Sequence, residues 1–352
     1  MWGMHLLLSL GFSAFGQEVH EFYNNVRMLG MGGTSIAIAN DETSLFSNPA
    51  GLAKLRSSYG TLFDPEIDAG TNLPSLHRAG AFSSPVSLGQ IASTLNASRT
   101  TYYHYRNQLF PSLVVRNFGL GIFYRQSLDA SMNPAGTSLS TRYRDDLAVV
   151  LGYSLRFWDG RIKIGVSGRY INRIEVARDV DPTEDLGLAT IGSEGVGLGV
   201  DGGLILAAPW KMIPTLAIVA RDMGGTNFNQ GANVRLSTSA RPTSVAADYD
   251  AALALFPIHG NQTRSSLSFE YRKILESSRA VDKTRYYAAG WELNYADLLF
   301  FRLGVNQRYW TAGAELANRF TQVQIASYGE DVGTDGSPVE DRRLSLKFSF
   351  RF

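Results

Sequence analysis

The chain has 352 residues, no cysteine, 18% charged residues and a formal net charge of +1. The missing cysteines exclude disulfides, thiolate metal sites and cysteine catalysis, and the near-neutral balance supplies no field for nucleic acid. Two soluble domains would fit this length, yet no Pro/Ser-rich or charge-run linker divides the chain.

The first residues read as an export signal. Leu6-Leu7-Leu8-Ser9-Leu10-Gly11-Phe12 is a short apolar run, and Ala14-Phe15-Gly16 is a small-x-small cleavage pattern. Together they predict a signal peptide over 1–16 and a mature start near Gln17. A buried N-terminal helix is the alternative. No apolar run elsewhere reaches the roughly 18 residues that a spanning helix needs. An exported chain of this kind is periplasmic, extracellular or a membrane barrel.

Residues 17–56 lack strand alternation and are rich in small residues, so they predict a compact helical plug. Asp41 is placed to N-cap a short helix through Phe46. Asn48 is placed to N-cap a second, with Pro49 at its first position, where a missing N–H costs nothing. Gly30-Met31-Gly32-Gly33 has no βαβ context for a nucleotide loop. These glycines, with Ala50 and Gly51, read as close backbone packing in a crowded plug.

From 57 to 352 the pattern is strands. Leu147, Val149, Leu151, Tyr153, Leu155 and Phe157 share one face of a period-2 run. Leu344, Leu346, Phe348, Phe350 and Phe352 do the same at the C-terminus, alternating with Arg343, Ser345, Lys347, Ser349 and Arg351. Tight turns such as Asp159-Gly160 and Ala296-Asp297-Leu298 alternate with long polar segments such as 177–193 and 223–241. Short turns on one side and long loops on the other predict a transmembrane antiparallel β-barrel. About fourteen strands are expected, starting at 57–64 and 109–116, including 242–255, and ending at 342–352. Leu88, Ile91 and Leu95 recur at helical spacing, which predicts a helix over 86–97. Trp158 and Trp210 fall at short turns and Trp310 at the far end of a strand, as an interfacial aromatic girdle requires.

Chemistry is sparse. The five histidines have no recognisable spacing, and no hydrolase, zincin or phosphate-loop motif occurs, so no catalytic, metal or cofactor residue is expected. Asp179, Asp181, Glu184 and Asp185 read as a solvated loop, with a bound divalent cation as the alternative. Alternation turns Arg125, Arg156, Arg169, Arg302, Lys347, Asp146 and Glu292 inward, among others. The mixed signs predict cross-barrel pairing around a plug, or simple wetting of a water-filled lumen.

Arg27-x-x-Gly30-Met31-Gly32-Gly33, Ala39-Asn40-Asp41 and Asn48-Pro49-Ala50-Gly51-Leu52 resemble the N-terminus of the FadL-type long-chain fatty-acid transporter superfamily, which includes the PorV-type barrels. The resemblance implies a fourteen-stranded outer-membrane barrel with an N-terminal hatch. It further implies an aromatic C-terminus read by the insertion machinery. Two functions follow: passive uptake of a hydrophobic small molecule, or a scaffold holding a secreted or surface protein. The partners implied are outer-membrane lipid, the insertion machinery, and either a hydrophobic ligand or a protein.

Overall fold

The computed structural model describes residues 18–80, 83–231, 233–334 and 336–352. The expected signal peptide therefore lies outside the described residues. No helix among the described residues is long and apolar enough to cross a membrane.

The chain crosses with strands instead. β1 (Tyr59–Phe63) and β2 (Glu66–Gly70) are halves of one strand, broken at Asp64-Pro65. β3 (Tyr102–Leu109) and β4 (Ser112–Val115) are halves of the next, broken at Phe110-Pro111. Six strands follow: β5 (Phe118–Met132), β6 (Leu139–Phe157), β7 (Ile162–Val180), β8 (Ser193–Ala207), β9 (Thr215–Arg221) and β10 (Asp248–Leu255). Six more complete the set: β11 (Thr263–Tyr271), β12 (Tyr287–Tyr295), β13 (Leu299–Asn306), β14 (Tyr309–Ala317), β15 (Thr321–Asp331) and β16 (Glu340–Arg351). Neighbours pair antiparallel, and β16 returns to both β1 and β2. The result is a closed fourteen-stranded antiparallel barrel.

Closure satisfies the backbone without water, which lipid demands. The two breaks occur where proline cannot donate to the ladder. There the Phe110 N–H donates to the Asp64 carboxylate at 2.6 Å, so a side chain replaces the missing ladder partner. This break explains why the second strand starts at Tyr102, earlier than its expected start at 109. The expected strand 242–255 begins only at Asp248. Residues before it turn back across the rim, with Thr243 N–H donating to Glu175 (2.8 Å) and Val245 bridging Thr226.

The terminal strand shows how alternation sorts the faces. Leu344, Leu346, Phe348 and Phe350 are exposed outward, while Arg343, Ser345, Lys347 and Ser349 are buried inward. Phe352 is exposed, and its ring lies over Gly60. An outward face this apolar is the surface of a membrane-spanning barrel. Trp158, Trp210 and Trp310 are all exposed at strand ends, where the girdle places them. The turn at Ala296-Asp297 has φ of 58° and 55°, the left-handed pair that a two-residue hairpin turn needs.

β6 and β7 have 19 residues each and outrun the lipid-facing band. Above Leu147 the outward side chains Leu139 and Tyr143 are buried, as are Ile174 and Val176 on β7. They pack against the helices Leu73–Ala79 and Leu88–Ala97. The second of these is the expected helix; the first carries no periodicity long enough to announce it.

Candidate functional site

Residues 18–58 precede the first strand and pack against inward-facing side chains from most of the ring. A helix over Val26–Gly30 is capped by Asn25, whose side chain accepts from Met28 N–H at 2.8 Å. A short helix over Ser44–Ser47 follows, then a 3₁₀ turn over Pro49–Lys54. Asn48 caps that turn as expected: its Oδ1 accepts from Ala50 N–H (3.0 Å), and its Nδ2 donates to Ile36 O (2.9 Å). Asp41 does not cap the Ser44 helix. The residue at that cap is Thr43, and Asp41 accepts from the Thr43 N–H at 3.0 Å while pairing with Arg27. Its oxygen is two residues from the amide it binds, which closes an Asx turn instead.

Buried charge pairs tie this segment to the wall. Arg27 donates to both Glu292 oxygens (2.9 and 2.8 Å) on β12. Glu270 on β11 accepts from the Ser35 and Ile36 N–H groups (2.9 and 3.1 Å). Arg125 on β5 donates to the Glu21 and Phe22 carbonyls, and Arg351 on β16 donates to Glu42 at 2.6 Å. Arg302, Arg169, Lys347 and Asp146 also pair inside the ring, as their alternation predicts. Arg156, expected inward, is exposed, because it stands at the end of β6 where the wall stops.

Close approach is permitted by glycine on both sides. Gly32 has φ +68°, and a Cβ there would lie 2.6 Å from the Val305 carbonyl oxygen. The wall answers with its own inward glycines: Gly290 and Gly304 face Met31, Gly313 faces Gly30, Gly165 faces Pro49, and Gly203 faces Asn48. Gly33 lies against Arg272, and Gly51 against Ser44 and the Ala39 carbonyl. Ala50 is fully buried beside Ile205 and Ala217.

Two large cavities flank the segment and share no lining residue. The outer cavity, on the long-loop side, has about 650 Å³. Phe22, Tyr23, Phe46, Phe228 and Ile171 supply its apolar lining, and Arg169, Arg173 and Arg221 its guanidiniums. Three of its rings, Phe22, Tyr23 and Phe46, continue into a cluster with Phe110 and Phe123 at centroid distances of 4.8 to 6.1 Å. Phe110 belongs to the break in the β3/β4 strand, so the cluster runs from the cavity to the wall. The inner cavity, on the short-turn side, has about 690 Å³ and is lined mainly by polar side chains.

Among the described residues, Glu18, His20 and Asp129 bring potential metal ligands within 4.8 Å of one another. Their surroundings oppose a cation. Glu18 is bound by the Arg343 guanidinium through both oxygens (2.8 and 2.9 Å). Burial acts to raise the Glu18 carboxyl, but Arg343 outweighs it and holds it well below the usual range. Burial holds His20 neutral, with Arg142 and Arg144 adding to the effect. In the outer loop, Asp181 and Asp185 accept from Thr183 and Thr190 hydroxyls and from nearby amides, which lowers both carboxyls and commits them to local turns.

No family model and no curated protein sequence matches the chain. Its fold, however, recurs in solved structures. The CymD monoaromatic hydrocarbon channel is 12% identical with a TM-score of 0.57, over 92% of this chain and 96% of that one. The *Pseudomonas putida* toluene transporter TodX is 13% identical at 0.52, over 97% and 98%. A *Pseudomonas aeruginosa* FadL homologue is 10% identical at 0.50, over 97% and 98%. The chain has the fold of these FadL-type barrels along nearly its whole length.

Proposed function

We propose that this protein is a bacterial outer-membrane barrel for passive transport of a hydrophobic small molecule. The observation that carries the reading is the outer cavity. It is open to the long-loop side, mixes aromatic with charged lining, and leads into a five-ring cluster. Such a lining suits a largely apolar molecule that must first leave water. The names of the barrels sharing this fold, hydrocarbon channels and a toluene transporter, agree with it. Those neighbours are transport proteins, and we read this chain as non-catalytic too. Residues 18–58 act in this reading as the plug, because they separate the outer cavity from the inner one.

The test is uptake of radiolabelled toluene and of palmitate by cells expressing the protein. Entry above the empty-vector level for either solute is the expected result; no increase for both removes the reading. In planar bilayers, deletion of residues 23–50 is expected to leave a folded barrel with conductance well above that of the intact protein. Equal conductance means that the segment does not plug.

A further inference from the structure

One arc of the barrel's short-turn end carries charge that nothing in the chain neutralises. Short turns of an outer-membrane barrel face the periplasm. Three of them follow one another around the ring: 116–117 between β4 and β5, 158–161 between β6 and β7, and 208–214 between β8 and β9. Arg116, Arg161 and Lys211 stand in these turns, and Arg156 lies just before the second. Arg56 precedes β1, the strand paired with β4 at the start of the arc. All five are exposed, and none makes an ion pair or a side-chain hydrogen bond among the described residues. Asp159 is the one carboxylate in these stretches. Lys54 and Lys163 are half-buried, with their ammonium groups spent on the Ala37 and Gly160 carbonyls, so the exposed set is the five.

The rest of the same end differs. There Asp297 pairs with Arg264, and Arg319 lies over the Phe320 ring. The whole chain is near neutral at +1, so the surplus belongs to this arc.

Backbone bonds hold the arc together. The Asn117 N–H donates to the Leu52 carbonyl (3.2 Å), and the Asn117 carbonyl accepts from the Ser154 N–H (2.8 Å). These bonds set the Arg116 turn against the N-terminal segment and the end of β6. The Arg161 carbonyl accepts from the Ala207 N–H at 2.8 Å, which joins the second turn to the third. Four strand spacings of about 4.8 Å separate the first turn from the third, so the cations spread over on the order of 20 Å. A single phosphate or carboxylate cannot span that distance, whereas a row of carboxylates on one chain can.

Lipid headgroups are the competing anions, and they stop at the outside of the wall. The outward side chains beside the arc are apolar: Leu155, Phe157 and Ile164 are all exposed. Arg156 alternates with Leu155 and Phe157 and so takes the lumen-side register of β6. The Arg116 turn is bonded to the N-terminal segment inside the ring. Trp158 and Trp210, exposed in the same turns, mark the level of the membrane surface. The charge therefore covers the periplasmic mouth more than the lipid-facing rim.

We propose that this arc is a docking surface for an acidic segment of a periplasmic protein, one that presents several Asp or Glu side chains. A surface of one sign selects a partner of the other and speeds its encounter. None of the five cations lines either cavity, so the inference does not rest on the transport reading.

The experiment titrates the purified full-length protein, in a neutral detergent, into fluorescein-labelled decaglutamate and follows anisotropy. Saturable binding is expected at about 0.01 M salt. It is expected to weaken roughly tenfold at about 0.1 M, as the screening length shortens from about 30 to about 10 Å. The triple variant Arg156→Gln, Arg161→Gln, Lys211→Gln removes exposed charges that bond nothing in the protein. It is expected to keep normal heat-modifiable migration and to bind about tenfold more weakly. Arg319→Gln, on the other half of the rim, is expected to bind as wild type. No saturable binding overturns the proposal, as does wild-type affinity in the triple variant. Equal weakening by Arg319→Gln also overturns it, because overall charge and not the arc would then govern binding. Native mass spectrometry tests the lipid source: phosphatidylglycerol held by the wild type but not by the triple variant, in place of peptide binding, assigns the arc to headgroups and removes the docking surface.

Discussion

Arg27 and Glu292 meet through two hydrogen bonds of 2.9 and 2.8 Å, and they join the helix over Val26–Gly30 to the wall of β12. Both side chains are mostly buried, at 18% and 6% exposure. Removing one partner from such a pair leaves a buried charge and costs about 3–5 kcal/mol. Glu292→Leu is therefore expected to release residues 18–58 more readily than any change at the exposed Asn40. Limited proteolysis of the folded barrel reads this out. Protection of the segment equal to wild type would show that the pair does not hold it.

The wall glycines make a second test. At Gly304 a Cβ would lie 2.6 Å from the Met31 carbonyl carbon, a contact with backbone that cannot rotate away. Overpacking of this kind costs about 1–3 kcal/mol. Gly304→Val is expected to give a barrel of normal heat-modifiable migration with a protease-sensitive N-terminus. Gly168→Val, on the outward face of β7 with nothing within 4 Å, is the control and is expected to behave as wild type.

Lys54 gives the segment a pH dependence. Burial, with Lys163 and Arg27 nearby, lowers its ammonium from 10.5 to about 7, while its Nζ donates to the Ala37 carbonyl at 2.6 Å. Below pH 7 the lysine is charged both docked and released, and docking carries the full burial cost. Between about 7 and 10.5 the released form holds a proton that the docked form does not, so docking strengthens as pH rises. Protection of residues 18–58 is expected to increase from pH 7 to pH 9. Lys54→Met is expected to flatten that dependence, and an unchanged slope in the variant would assign it to another group.

At the other end, Phe348 is exposed on the outward face of β16, at the centre of the apolar run from Leu344 to Phe352. Phe348→Arg places a charge against lipid at a cost of about 2–4 kcal/mol near mid-membrane. Reduced yield of heat-modifiable barrel is expected, and normal yield would refute an outward position in the lipid-facing band.

Much of the fold was legible because membrane strands obey one rule. The period-2 runs from Leu147 to Phe157 and from Leu344 to Phe352 separate lipid from lumen without reference to partners. The Asn48-Pro49 cap was legible for a local reason, since its bond reaches only to Ala50. Asp41 misled because the capping rule fits two registers, and pairing with Arg27 decides between them. The start of β10 at Asp248 was hidden, because Thr243 and Val245 bond to β7 and to a distant loop residue. The cavities were invisible for a similar reason. Ser266 and Gln322 are ordinary inward polar residues of a strand until the segment before residue 58 is placed opposite them.

The long strands β6 and β7 have a consequence for where the protein meets its surroundings. Eight residues of β6 rise above Leu147 and ten of β7 above Tyr170, the last exposed apolar positions on their outward faces. At about 3.3 Å per residue, and allowing for tilt, this chimney stands on the order of 20 Å above the bilayer. Arg142, Arg144 and Arg173, which line the outer cavity, belong to that raised stretch. The mouth of the molecule thus opens well above the lipid-facing band, not level with it. Under the proposed transport, a solute would meet the protein above the membrane before it meets the lipid.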